Sequence, residues 1–407
     1  MNEALEILQE RGFIQQCTDV EGLSDMLNKG PISFYVGLDP TAGSLHIGHM
    51  VPIFAIKHLA TYGHRGILLV GGGTGKIGDP SGKTEMRKIL EYEVLDQNVF
   101  NIKEQLSRFV SEQRANIPHV VFENNGSWLD NLNFIDFMRE IGSQFSVNRM
   151  LSFEAYKKRM ETGLSFLEFT YQLLQSYDFY MLHEKYKTCL QIGGDDQWGN
   201  IVAGIDLIRR KTHDEQVYGL TFPLLTRADG KKMGKSEQGA LFLSSDLVSP
   251  YDFFQYWRNV DDRDVKRFML IFTFLPIPEI EQIVSGNINE AKERLAFEVT
   301  KLIHGLDEAE KAREAARNAF YGTGLSSLMP SIELESKNLP SSIPVTELFT
   351  LAKLCTTKSE VRRLIEQGGA SINNEKISDV KMQCSLEHLH GVVLRAGKKH
   401  VVKIIIT

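Results

Sequence analysis

Ile32-Ser33-Phe34-Tyr35-Val36-Gly37-Leu38-Asp39-Pro40-Thr41-Ala42-Gly43-Ser44-Leu45-His46-Ile47-Gly48-His49 decides how the rest of this chain is read. Ile32 to Leu38 carries aromatic and β-branched side chains in a short run and predicts a strand. Asp39-Pro40 through Gly43-Ser44 is dense in turn formers. From Leu45 the chain becomes apolar over a helical length, Met50-Val51-Pro52-Ile53-Phe54-Ala55-Ile56. A strand therefore enters a polar loop and a helix leaves it. The first free N–H groups and the positive dipole end of that helix make an anion site. Thr41, His46 and His49 sit at that end, and Gly48 leaves room for a flat ring against the backbone. The plain alternative is two surface imidazoles. Three residues apart, however, they share a helix face, whereas His58 points to another side, so metal ligation is not expected and phosphate binding explains more.

Outward from this stretch, Arg65 to Gly73 reads Arg-Gly-Ile-Leu-Leu-Val-Gly-Gly-Gly, an apolar run bounded by glycines that suits a buried parallel strand. Ile32 to Val70 then forms one βαβ unit, whose ligands bind at the carboxyl ends of its strands. The following loop, Gly71 to Lys83, holds Thr74, Asp79 and six glycines. Gly78 to Thr84 approaches a phosphate-binding P-loop, but the pattern needs a glycine where Ile77 stands. A P-loop NTPase is the runner-up, with Lys83 and Arg87 as phosphate contacts or solvated charges. Tyr171, Gln175 and Asp178, spaced i, i+4, i+7, lie on one helix face. They read as hydrogen-bonding groups for a small polar ligand or as a partly exposed polar stripe. Cys189 to Asn200 is an apolar strand ending in two glycines and two acids before a helix, a ribose site or an acidic turn. Arg227 to Gly239 is a loop by composition, either a flexible basic surface loop or, through Lys232 and Lys235, a transient grip on triphosphate.

His46-Ile47-Gly48-His49 resembles the HIGH signature of class I aminoacyl-tRNA synthetases, and Tyr35 to His49 resembles its tyrosyl version. Lys232-Met233-Gly234-Lys235-Ser236 resembles the KMSKS loop. The Tyr/Gln/Asp helix, the Gly-Gly-x-Asp-Gln run and the terminal segment follow in the family's order. The chain is identified as a member of the bacterial-type tyrosyl-tRNA synthetases. The resemblance implies activation of L-tyrosine with ATP, with Mg²⁺ travelling with the ATP, and transfer to tRNA(Tyr) by a homodimer. It implies catalytic roles for Thr41, His46, His49, Lys232, Lys235 and Ser236. Tyrosine would be bound by Tyr35, Asp79, Tyr171, Gln175, Asp178 and Gln197. ATP would meet Gly37, Asp39, His46, Gly48, His49, Gly194, Asp196 and Lys235. Arg209, Arg210, Arg362 and Arg363 would contact tRNA. The chain departs from the family at Asp195, where serine is usual, an extra charge beside the expected ATP site. Rival readings are a tryptophanyl enzyme and a non-catalytic RNA-binding role.

At 407 residues the chain should hold two or three domains. The implied fold is α/β: a Rossmann-like parallel sheet catalytic domain over 1–222, then the lysine loop and an α-helical domain over 223–320. A Ser/Gly/Pro-rich linker over 321–343 and a small α+β S4-like RNA-binding domain over 344–407 complete it. Net charge is −6, yet Ser341 to Thr407 carries ten Lys and Arg against six Asp and Glu, a basic end on an acidic body that points weakly to nucleic acid. No stretch is apolar enough to span a bilayer and no signal peptide is visible, so no membrane is expected. Cys17, Cys189, Cys355 and Cys384 form no CxxC and fit a reduced, cytoplasmic compartment.

Overall fold

The computed structural model describes residues 1–81, 90–111, 113–212, 215–230, 233, 235–236, 239–321, 330–373, 375–397 and 400–407. Lys232 and Gly234 of the lysine loop, Lys83 and Arg87 lie outside these residues, and of Lys235 and Ser236 only the backbone is described. The described residues fall into two units, Met1–Val248 with Asp261–Gly286, and Ser249–Val260 with Asn287–Thr407.

The first unit is built on six strands: β1 Gln16–Cys17, β2 Ser33–Leu38, β3 Arg65–Val70, β4 Val121–Asn124, β5 Thr188–Gly194 and β6 Tyr218–Phe222. They lie in the order β1-β6-β5-β2-β3-β4, parallel throughout except for the antiparallel edge strand β1. Phe34, Tyr35, Val36, Ile67, Leu68, Leu69 and Val70 are buried, as strands covered on both faces require. The chain moves from β2 outward through β3 to β4, then returns to the other side of β2 with β5. The order in which strands are added therefore reverses between β2 and β5, and the crevice beyond their carboxyl ends is where such sheets hold ligands.

Four helices matter here: α1 Met50–Thr61, α2 Tyr92–Val110, α3 Phe166–Tyr186 and α4 Trp198–Lys211. The helix expected from Leu45 starts later, because Ile47–His49 forms a 3₁₀ turn first. Ser165 and Glu168 form a reciprocal cap at the start of α3. Glu168 is also paired at 2.9 Å with Arg159 in a fully buried ion pair. Two short strands, β7 Lys235–Ser236 and β8 Gly239–Ala240, pair antiparallel.

The second unit contains α5 Pro250–Arg258, α6 Ile288–His304 and α7 Leu306–Tyr321. The helical region expected as one block over 223–320 is thus divided, since Asp261–Gly286 belongs to the first unit. Beyond α7 come β9 Ser331–Leu334, β10 Ser342–Pro344, α8 Val345–Leu351, α9 Lys358–Glu366, β11 Ala370–Ile372, β12 Glu375–Lys376, β13 Gln383–Ser385, β14 Val393–Ala396 and β15 His400–Ile406. The order β12-β11-β14-β15-β9 makes one sheet, in which β9 runs parallel to β15, and β10 pairs with β13. Two strands therefore lie wholly or partly within 321–343, the stretch its composition marks as a linker. Ile343, Leu348, Phe349, Val361, Ile365, Leu394 and Ile404 form the core of this terminal part.

Candidate active site

The polar residues singled out in the sequence converge at the carboxyl ends of β2, β3, β4 and β5. At the end of β2, Asp39 accepts the Tyr171 hydroxyl at 2.8 Å on one oxygen and the Thr74 hydroxyl at 2.7 Å on the other. Gly71, at the end of β3, must lack a side chain, since a Cβ there would stand 2.1 Å from the Asp39 carboxylate. Asn125, just past β4, is the hub. Its amide nitrogen donates to Thr74 Oγ1 at 2.9 Å and to Asp178 Oδ2 at 2.8 Å, and its oxygen accepts the Gly73 N–H at 2.7 Å. Trp128 Nε1 donates to the other Asp178 oxygen at 2.8 Å.

Asp178 is fully buried, and burial pushes its carboxyl up to about 8, against the pull of Asn125 and Trp128; the nearby Asp39 charge raises it further. Tyr35 is 1% exposed, and its hydroxyl has no hydrogen-bond partner among the described residues. Burial raises this phenol well above its ordinary value, and the Asp178 charge adds to the rise. A buried hydroxyl left without a partner costs about 1–3 kcal/mol, a cost that a hydrogen-bonding group brought in by a ligand would relieve.

A second cluster lies at the start of α4. Gln197 Nε2 donates to Asp79 at 2.6 Å, and the other Asp79 oxygen accepts the Ser81 N–H at 2.9 Å. Asn200 bonds Gln175 at 3.0 Å and Gln197 at 3.3 Å. The α3 face expected from the i, i+4, i+7 spacing thus exists: Asp178 reaches one cluster, Gln175 the other, and Tyr171 reaches Asp39. Asp196 is half-buried beside them, and a Cβ on Gly194 would come within 2.7 Å of its carboxylate. Gly37 is exposed, and a Cβ there would meet nothing within 4 Å, so the backbone at the end of β2 is open.

Asp195 is not a charge facing this crevice. Its Oδ1 accepts Gln16 Nε2 at 2.7 Å and Thr221 Oγ1 at 2.9 Å, so it is turned toward β1 and β6. The departure from the family pattern therefore acts at the sheet edge, where two donors satisfy it.

His46 and His49 stack with ring centroids 3.7 Å apart. His46 Nδ1 accepts the Gly48 N–H at 3.1 Å, and His49 Nδ1 accepts the His46 N–H at 3.2 Å. A neutral ring that accepts at Nδ1 carries its proton at Nε2. A Cβ on Gly48 would lie 3.0 Å from the His46 ring, which explains the glycine. Thr41 is half-buried in the loop between β2 and this turn. The segment after β8 is sewn to the same turn: Ile47 N–H donates to Leu241 O at 3.0 Å and Leu243 N–H to Leu45 O at 2.8 Å.

Arg209 and Arg210 sit in the last turn of α4, about 18 Å along the helix from Gln197 at 1.5 Å per residue. They are outside both clusters; Arg209 pairs with Asp206 at 3.4 Å and Arg210 donates to Gln144 O. Arg362 and Arg363 lie exposed on α9, whose Val361 and Ile365 are buried. Sequence reasoning missed Asn125 and Trp128. The signal available was their place at the end of a strand, in Asn124-Asn125-Gly126-Ser127-Trp128, but β4 is too short and polar to read as one. Gln191, the register partner of Tyr35 on β5, was also missed; it is 3% exposed and its amide oxygen has no partner among the described residues.

A family profile described as tRNA synthetases class I (W and Y) matches residues 27–321. A protein of Treponema denticola named Tyrosine--tRNA ligase is 64% identical over 408 residues, covering 100% of both chains. A Treponema pallidum protein of the same name is 58% identical over 100% of this chain and 99% of its own length. Among solved structures, a C-terminally truncated mitochondrial tyrosyl-tRNA synthetase from Aspergillus nidulans superposes with a TM-score of 0.71 at 30% identity, covering 78% of this chain and 94% of its own.

Proposed function

Because the chain belongs to the class I tRNA synthetases of the tryptophan and tyrosine group, we propose that it activates L-tyrosine with ATP and transfers the tyrosyl group to the 3′ end of tRNA(Tyr). The observation that carries tyrosine rather than tryptophan is the buried Tyr35 hydroxyl without a partner, beside a buried Asp178 carboxyl. A phenol hydroxyl donates to the carboxylate and accepts from Tyr35. Phenylalanine would leave both groups without that partner, an effect for which tyrosyl-tRNA synthetases are themselves the standard illustration.

Tyr171, Gln175, Asp79 and Gln197 hold the ammonium and carboxylate end of the substrate. The tyrosine carboxylate attacks the α-phosphorus of ATP, the bond to the β,γ-phosphates breaks, and tyrosyl-adenylate and pyrophosphate result. No residue needs to become acylated; the protein positions the reactants and stabilises phosphate charge. The Nε2 donors of His46 and His49, Thr41, and Lys232, Lys235 and Ser236 of the loop serve that charge. Gly37, Asp39, Gly48, Gly194 and Asp196 hold the nucleoside, and Mg²⁺ arrives with ATP as part of the substrate. The tRNA terminal hydroxyl then attacks the adenylate carbonyl and AMP leaves.

Arg209 and Arg210 contact the acceptor end of the tRNA, and Arg362 and Arg363 on α9 contact it through the S4-like terminal part. A homodimer, as the family resemblance implies, would cover some of the exposed apolar side chains, among them Phe134, Ile135, Val147, Met160 and Phe166. Among the described residues no helix is long and apolar enough to cross a membrane, and the cytoplasm is the proposed compartment. The test is pyrophosphate exchange with tyrosine, tryptophan and phenylalanine supplied separately, followed by charging of tRNA(Tyr). Exchange with tyrosine alone is expected; exchange driven by tryptophan would overturn the assignment.

A further inference from the structure

Both arms of the lysine loop are held by groups outside it, and the incoming arm is held by a buried carboxylate with no place in the chemistry above. Asp264 is 3% exposed and stands at the start of the helix Val265–Phe272. Its Oδ2 accepts the Ala228 N–H at 2.7 Å, and its Oδ1 accepts Arg267 Nη2 at 2.7 Å. The same Arg267 nitrogen donates to Thr226 O. One carboxylate–guanidinium pair therefore grips the backbone at both Thr226 and Ala228. The Met233 N–H closes on Leu225 O at 2.9 Å just beyond.

The helix carrying this grip is itself fixed against α1. Phe272 meets Phe54 of α1 edge-on at 5.5 Å, and Phe274 lies against Phe54 at 5.2 Å and against His58 at 5.7 Å. The far end of the helix is capped by the buried Arg11 guanidinium, which donates to the carbonyls of Leu270, Thr273 and Leu275 at 2.9, 3.0 and 2.6 Å. The outgoing arm is tied to Leu45 and Ile47 directly. Both ends of the loop are thus referenced to one body, the His46–His49 turn and α1.

We infer that Asp264, with Arg267, is a positioning residue for ATP: it sets the incoming arm of the lysine loop in register with the histidine turn. It does not touch substrate. This rests on the proposed activity. A charge-assisted hydrogen bond to a backbone N–H in a buried setting is among the stronger single contacts, and misplacing a phosphate-binding group by about 1 Å costs on the order of a hundredfold in rate.

The experiment compares Asp264→Ala, Asp264→Asn and Arg267→Met in the full chain. It uses pyrophosphate exchange with ATP and tyrosine titrated separately, and direct calorimetric binding of tyrosine alone. Asp264→Ala should raise the KM for ATP or lower kcat by tenfold or more, with tyrosine Kd within twofold of wild type. Asp264→Asn keeps an acceptor for Ala228 and should recover most of the loss. If Asp264→Ala fails to fold, Arg267→Met, at a half-exposed side chain, should still shift ATP and spare tyrosine. Wild-type ATP dependence in a folded variant overturns the inference, as does equal loss for ATP and tyrosine, or no recovery in Asp264→Asn. Absence of tyrosine-dependent exchange in the wild type would instead overturn the proposed activity.

Discussion

Replacing Asn125 by alanine removes the donor that holds one Asp178 oxygen at 2.8 Å and the acceptor of the Gly73 N–H. The bond to a charged group is worth about 1.5–3 kcal/mol, and 1.36 kcal/mol corresponds to one pH unit. Asp178 already titrates near 8 because it is buried, and Asn125 is one of two groups pulling it down. Without Asn125 its midpoint should rise by about one to two pH units. The proposed tyrosine contact needs the ionised carboxylate. Tyrosine affinity at pH 7.5 should therefore fall by about ten- to a hundredfold. The loss should shrink as pH is raised toward 9, where the carboxylate of both proteins is more ionised. The assay is tyrosine binding by calorimetry from pH 6.5 to 9. An undiminished tyrosine affinity at pH 7.5, or a deficit equally large at every pH, would refute the reasoning. The vacated Gly73 N–H, if left unpaired, should also cost about 1–3 kcal/mol of stability, read as a lowered urea midpoint.

Two further outcomes follow from the same geometry. Asp195→Ala should lower stability by about 1–3 kcal/mol, because it leaves the buried Thr221 hydroxyl without its acceptor, while the half-buried Gln16 amide can turn to water; urea unfolding reads the loss, and tyrosine-dependent exchange should survive in the folded protein. Asp178 is raised in the folded state, so its contribution to stability is fully present below about pH 4 and is lost as pH rises through about 8. Asp178→Asn should flatten the fall in stability of the unliganded protein between pH 5 and 8, and an unchanged slope would count against the burial argument.

How much of this was legible beforehand differs from element to element. The β2–loop–helix reading holds because Phe34 to Val36 is apolar, glycine and proline punctuate the loop, and Met50 to Ile56 of α1 is apolar throughout. The α3 face also stands, because spacing alone places Tyr171, Gln175 and Asp178 together. Asn125 and Trp128 were not legible, since their roles come from β4 lying beside β3, a pairing no local pattern encodes. The charge on Asp195 was misread for a related reason: which way a strand-end side chain turns depends on Gln16 and Thr221, one on the edge strand and the other on its neighbour. β9, inside the stretch read as a linker, was not legible because it has only four residues, Ser331–Leu334, and is held by its parallel partner β15, distant in sequence. A truncation near Ser336 would strip β9 of that partner; the terminal part begins no later than Pro330.

The interleaving of the two units governs the order in which the chain can fold as it is made. The chain passes between the units three times, after Val248, Val260 and Gly286. When Gly286 leaves the ribosome, every residue of the first unit has been synthesised. At that moment α5 is an orphan: Phe253, Phe254 and Trp257, all fully buried in the finished protein, still await α6, whose His304 packs edge-on against Phe253 at 4.8 Å. At about 5–20 residues per second, these three aromatic side chains are without that cover for on the order of seconds during synthesis. The terminal sheet waits longer still, because β9 cannot find its place until β15, about 70 residues later, has emerged.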